Sequence, residues 1–146
     1  LGIKKPNRFN GITHEIPLVG CALSHIGCLE NAKELGWDYV IIFEDDIKIE
    51  SKKKCNEKFN KYIKTDFDVL YLGIWNYLPP QKINEDLAKV VRGSCLHAYI
   101  VKYIHTLQAK DNWYCITPIH ITQRDGWSDN FKEIRNFSKR IQYIPH

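Results

Sequence analysis

The sequence predicts one α/β domain in which helices cover a largely buried sheet, and three observations predict it. Its 146 residues match the size at which one core forms and about two-thirds of the unfolded chain's surface becomes buried. Two short runs are apolar on both faces: "YVIIF" at residues 39–43 reads as a central strand of a covered sheet, and "FDVLYLGIW" at residues 67–75 as a second buried strand. A helix-period segment precedes the first run and another separates the two, which is the β-α-β order of layered α/β folds.

The elements follow in chain order. Between Leu18 and Leu35, the residues Val19, Ala22, Leu23, Ile26 and Leu29 recur at three- and four-residue spacing, predicting an amphipathic helix that buries this stripe. Pro17 suits its first turn and Gly36 its end. A second helix is expected from Ser51 to Ile63, with Cys55, Phe59 and Tyr62 as its apolar stripe against lysines. The strand at residues 67–75 stops at "NYLPP", because two prolines cannot belong to a central strand. Residues 87–93 and 95–102 read as shorter strands joined by a tight turn. After Asp111, "NWYCITPIHITQRDGWSDN" is irregular, aromatic and polar, which predicts a site-building loop rather than regular structure. No repeat, low-complexity segment or linker divides the chain, so residues 1–146 read as a single domain.

Composition excludes several classes. An apolar fraction of 44% with 12% aromatic residues rules out a disordered or fibrous chain. The formal charge is +4, from 21 basic and 17 acidic residues, and much of the excess is Lys52, Lys53 and Lys54. That run reads as a solvated helix face, since no arginines or stacking aromatics extend it, and no nucleic-acid partner is expected. No apolar run approaches the roughly 18 residues of a membrane span, and the N-terminal residues lack a signal-peptide pattern. The sequence has no methionine, so residue 1 is expected not to be the natural start and the chain to be part of a longer one. Cys21, Cys28, Cys55, Cys95 and Cys115 form no C-x-x-C pair suggestive of zinc or redox work. They read as buried thiols in a reducing compartment, hence a cytoplasmic location. The endoplasmic reticulum lumen is the alternative if a signal precedes this segment.

Glu44, Asp45 and Asp46 follow the first strand directly. Two like charges about 4 Å apart repel by roughly 4 kcal/mol near a protein surface, so the acids either splay into water or surround something positive. Side chains alternate along a strand, which points Glu44 and Asp46 one way and Asp45 the other. Ligands of open α/β sheets bind beyond the carboxyl ends of strands, and Mg2+ and Mn2+ favour carboxylate oxygens there. The bland alternative is that the acids cap the following helix or solubilise a turn.

The stretch "GCALSHIGCLENAKELGWDYVIIFEDDI" resembles glycosyltransferase family 25, which includes lipopolysaccharide galactosyltransferases and collagen hydroxylysine galactosyltransferases. In that family a G-C-x-x-S-H helix start leads through a hydrophobic strand to an E-D-D motif. "FDVLYLG", "HAYIV" and "TPIHITQRDGWSDN" resemble its later segments, so the likeness runs from Arg8 to Asn130. The resemblance implies a GT-A-like, Rossmann-like mixed sheet flanked by helices. It also implies an opening strand that has no counterpart ahead of "RFNGI", and a longer segment than the one between Ile104 and Trp113.

As activity, the resemblance implies inverting, metal-dependent transfer of a hexose, galactose or glucose, from a UDP-sugar to a hydroxyl of a glycan or a hydroxylysine-containing protein. Mn2+ or Mg2+ would be held by Glu44 and Asp46, with His120 as a late histidine ligand. Asp45 would contact the sugar or ribose. Ser24 and His25, near a helix start, would contact the nucleotide or sugar. Gln123, Ser128 and Trp127 would approach donor or acceptor, Trp127 by stacking. Inversion needs a carboxylate base, for which Asp111 and Asp129 are the candidates. His97 reads as structural. Two other readings share the acid pair: a truncated member that binds a sugar nucleotide or glycan without transfer, and a Mg2+-dependent phosphoryl-transfer enzyme or nuclease.

Overall fold

Residues 6–102, 113–128 and 133–135 are described by a computed structural model of the chain. The N-terminal half comprises α1 (Pro17–Glu34), β1 (Tyr39–Phe43), β2 (Ile47–Ile49), α2 (Lys52–Tyr62) and β3 (Val69–Asn76). There follow β4 (Gln81–Lys82), β5 (Leu87–Lys89), β6 (Gly93–Lys102), β7 (Trp113–Ile116), β8 (Ile121–Gln123), β9 (Gly126–Ser128) and β10 (Glu133–Arg135).

The main sheet has the order β1-β6-β3-β7-β5-β4. β6 runs antiparallel to both β1 and β3, while β3 and β7 are parallel. The strands β1, β3 and β7 therefore share one direction, and their carboxyl ends lie along one edge. β2 and β8 form a separate antiparallel ribbon, as do β9 and β10. The expected α/β architecture is present, as a mixed sheet flanked by two helices.

Alternation along the strands sorts the apolar residues into two layers. Val40, Ile42, Val69, Tyr71, Tyr99 and Val101 pack with Ala32, Cys28 and Leu29 of α1 on one face. Leu70, Leu72, Ile100 and Ile116 pack with Cys55, Phe59 and Tyr62 of α2 on the other, together with Ile47 and Ile121 of the β2–β8 ribbon. The stripe expected on α2 is thus the packed one, and Lys52, Lys53 and Lys54 are exposed. Ser51 caps this helix by accepting from Lys54 N.

Helix α1 departs from expectation in which face it buries. Ala22, Leu23 and Ile26 are exposed, and Leu18 is 66% exposed. Of the expected stripe Leu29 packs inward, beside Gly20, Cys21, Ser24, His25, Cys28 and Ala32, a mainly small and polar stripe at four-residue spacing. The periodicity of large apolar residues misleads here because the sheet presents polar groups to this helix, and because the preceding segment lies across it. A Cβ on Gly20 would stand 2.6 Å from Ile12 O, and one on Gly27 would stand 2.7 Å from the Phe9 ring. The helix ends as expected: Gly36 has φ +66°, Gly36 N donates to Lys33 O and Trp37 N to Ala32 O, the paired bonds of a Schellman motif.

Two further expectations are corrected. The segments at residues 87–93 and 95–102 form no hairpin, since β5 pairs with β7 and β4 whereas β6 inserts between β1 and β3. A strand as apolar on both faces as Ala98–Val101 gains most from a central place covered on both sides. The stretch after Asp111 is not irregular throughout, because it supplies β7, β8 and β9. Strands of three or four residues carry too little pattern to be read.

Cys21, Cys28, Cys55 and Cys115 are free thiols. Among the described residues no helix is long and apolar enough to cross a membrane.

Candidate functional site

Strand β1 delivers its chain to the edge where the carboxyl ends of β1, β3 and β7 gather. The β1–β6 ladder continues one step past Phe43, with Glu44 N donating to His97 O at 3.0 Å. The chain then turns through Asp45 and Asp46 and enters β2. Glu44 and Asp46 are half-buried while Asp45 is exposed, the partition that alternation predicts.

The two inner acids converge on one group. Gln123 Nε2 donates to Glu44 Oε2 at 3.1 Å and to Asp46 Oδ2 at 3.3 Å. An amide dipole therefore stands where two carboxylates meet. Asp46 Oδ1 is buried and has no hydrogen-bond partner among the described residues. Burial first, then the charges of Glu44 and Asp45, push the Asp46 carboxyl above its ordinary value. A half-buried carboxylate pair with a vacant lone pair fits a hard divalent cation.

The ribbon that carries Gln123 is locked to the sheet. Ile47 pairs with Gln123 across β2 and β8. Arg124 N donates to Asp46 O at 2.8 Å and Arg124 Nη2 to Asp45 O at 2.7 Å, so the end of β8 braces the acid turn. Below it, Ile121 O meets the buried His97 ring at 3.2 Å from Nε2, directly over Gly73 at an irregular register of β3. A side chain at Gly73 would occupy the space of that carbonyl and ring. His97, read as structural, thus joins both halves of the site: its carbonyl holds Glu44 N and its ring holds β8.

The other oxygen of Glu44 faces α1. Glu44 Oε1 lies 3.3 Å from His25 Nε2 and 4.0 Å from Cys21 Sγ. Tyr99 Oη lies 2.7 Å from His25 Nδ1, and the two rings stack with centroids 5.6 Å apart. Hydrogen bonding to Cys21 and then to Glu44 raises His25 to about 9, so the ring is a cation at neutral pH and donates from both nitrogens. Burial pushes the Tyr99 phenol well up, so it keeps its proton.

The remaining expected residues are placed as follows. Ser24 and His25 sit well inside α1, which begins at Pro17, so the free N–H groups of a helix start are not theirs. Ser24 Oγ donates to Gly20 O and accepts from Ile12 N, each at 2.8 Å, tying the N-terminal segment to the helix. His120 is not brought to the acids. It lies opposite Glu50, whose N donates to His120 O at 2.9 Å, and Glu50 is four residues beyond Asp46, about 13 Å along an extended chain. Burial first, then Lys58 and Lys54, lower its pKa. Trp127 and Ser128 lie on β9, paired with Ile134 and Glu133 of β10. Asp111 and Asp129 lie outside the described residues.

Cys21, Tyr99 and Gly73 lie within the family-like stretches, yet the sequence assigns none of them a role in the site. The four-residue spacing of Cys21 and His25 was a readable signal, while the other two are recognisable only from their neighbours in space.

The sequence profile of glycosyltransferase family 25 (LPS biosynthesis protein) matches residues 9–115, from the segment packed on α1 to β7. No curated protein matches the chain. On the strength of that match, which covers most of its length and includes both Glu44 and Asp46, the chain belongs to glycosyltransferase family 25.

Proposed function

We propose that this chain transfers a hexose, galactose or glucose, from a UDP-sugar to an acceptor hydroxyl at the edge where β1, β3 and β7 end. The observation that carries this reading is the convergence of Glu44 and Asp46 on one amide, with Asp46 Oδ1 buried and unpartnered among the described residues. Glu44 and Asp46 would hold a divalent cation, Mn2+ or Mg2+. When bound, such an ion offsets the negative charge that grows on a diphosphate as the glycosidic bond breaks.

The chain's own residues supply the setting. Gln123 holds the two carboxylates in register, so little reorganisation is needed when a ligand arrives. Arg124, bound to the Asp45 carbonyl, fixes the turn and leaves the exposed Asp45 carboxylate free to meet a sugar or ribose hydroxyl. An inverting course needs a carboxylate base on the face opposite the leaving diphosphate, and Asp111 and Asp129 are the candidates for it. The family's description favours a lipopolysaccharide-type glycan as acceptor; a hydroxylysine-containing protein is the alternative.

Asp46→Ala tests the reading. The wild-type protein should release UDP from a UDP-hexose in the presence of Mn2+ and acceptor, and gain thermal stability from Mn2+ with UDP. The variant should lose both while its circular dichroism is preserved. Undiminished turnover in Asp46→Ala would overturn the assignment, and UDP binding without release would make the chain a binding module.

A further inference from the structure

We propose that Cys21, His25 and Glu44 form a second cation site, one for a thiophilic metal of the Zn2+ class, on the α1 side of Glu44. Cys21 and His25 are one helical turn apart on α1 and project from the same face toward the end of β1. One donor atom from each of the three side chains lies within 4.8 Å of the other two, and all three residues are half-buried.

The separations suit tetrahedral coordination. With metal–ligand bonds of about 2.0 Å, the nitrogen and oxygen corners of a tetrahedron stand roughly 3.3 Å apart, and a bond of about 2.3 Å to sulfur widens the sulfur–oxygen edge to roughly 3.5 Å. His25 Nε2 and Glu44 Oε1 are 3.3 Å apart, and Cys21 Sγ and Glu44 Oε1 are 4.0 Å apart. Small side-chain movements close the difference. Three protein ligands leave a fourth position for water or a ligand, the pattern of an open rather than a purely structural zinc site.

The surroundings already provide what ligating groups require. A metal-bound imidazole needs its other nitrogen held by a partner, and Tyr99 Oη stands 2.7 Å from His25 Nδ1. A ligating carboxylate needs its second oxygen anchored, and Gln123 Nε2 holds Glu44 Oε2 at 3.1 Å. The chemistry differs from that of the acid pair, because thiolate and imidazole select Zn2+ and its relatives whereas Mg2+ and Mn2+ favour oxygen. Glu44 serves both sides, one oxygen toward Cys21 and His25 and the other toward Asp46. On binding, Cys21 is taken as thiolate and His25 as neutral imidazole, so protons are released to solvent.

Titration of the reduced, metal-free protein with Co2+, followed by displacement with Zn2+, tests this site. The wild type should take up one equivalent and show a thiolate-to-cobalt charge-transfer band that Zn2+ removes. Cys21→Ser and His25→Gln should each abolish tight uptake, Cys28→Ser should retain it, and Tyr99→Phe should weaken it by about 10- to 100-fold while keeping the band. Absence of the band in the wild type, or its survival in folded Cys21→Ser, would overturn the proposal. The readout is independent of sugar transfer: an inactive protein with the band retains this site, and an active protein without it lacks this site alone.

Discussion

Gly73→Ala offers a quantitative test of how the site is held. A Cβ at this position would stand 2.5 Å from Ile121 O and 2.6 Å from both Cδ2 and Nε2 of His97. Unstrained carbon–oxygen contacts settle at roughly 3.3–3.6 Å, so the carbonyl must retreat by about 1 Å or the strand beneath it must sink. Neither neighbour is a flexible chain end. Ile121 O is backbone, and the His97 ring, only 4% exposed, is bound to that same oxygen. Overpacking costs about 1–3 kcal/mol, and a weakened His97–Ile121 hydrogen bond adds about 0.5–1.5 kcal/mol. A total near 3 kcal/mol lowers the melting temperature of a domain this size by roughly 6–12 °C. Thermal unfolding followed by circular dichroism, in chelator, measures it. Gly126→Ala, where no atom of the described residues lies within 4 Å of the added carbon, is the control and should change little. If Gly73→Ala melts with the wild type, the ribbon is not seated on Gly73 and the account of how Gln123 reaches the acids fails.

Gln123→Ala removes the amide shared by Glu44 and Asp46; in chelator it should cost about 1.5–3 kcal/mol in urea unfolding, and Mn2+ should recover part of that loss. In metal-free protein, an NMR titration should place His25 near 9, above its ordinary 6.5, and Glu44→Gln should bring it down. Since the folded value is raised, the stabilisation by His25 is complete below about pH 6.5 and fades as pH rises through about 9; unchanged stability across that window would contradict the pairing. Lys58 is buried, bonds Thr117 O and pairs with Asp86 at 3.3 Å. Lys58→Ala should therefore cost about 1–3 kcal/mol, whereas Lys61→Ala, at an exposed pair with the same Asp86, should leave urea unfolding unaltered.

Much of the fold was legible because its strongest signals are local. "VLYLGIW" became β3, a central strand between β6 and β7, whereas "YVIIF", expected to be central, became β1, the end strand of the sheet among the described residues, with Val40 and Ile42 buried and Tyr39 exposed. The acid pair was legible for the same kind of reason, since period-two alternation survives one step beyond β1 and sets Glu44 apart from Asp45. The inward face of α1 was not legible. Val19, Ala22, Leu23 and Ile26 carry the periodic apolar signal, yet Cys21, His25 and Cys28 turn toward the sheet. What faces a helix decides which stripe it buries, and here the sheet offers Tyr99 Oη and the Glu44 carboxylate. His120 shows the converse, for proximity in sequence to Gln123 does not carry it to the acids when the strand between them is extended.

By itself the sequence determined the layered α/β class, the two helices that flank the sheet, the placement of three acids at the end of an apolar strand and the likeness to a glycosyltransferase family. The first three follow from short-range patterns, namely periodicity, turn chemistry and the cost of crowding like charges, and the likeness rests on the order and spacing of its motifs. The insertion of β6 between β1 and β3, the seating of β8 on Gly73 and the meeting of Cys21, His25, Tyr99 and Gln123 around Glu44 were decided only in the folded molecule. Each joins residues that lie far apart in the chain, and such contacts are selected by the packing of whole elements, which no local spacing records.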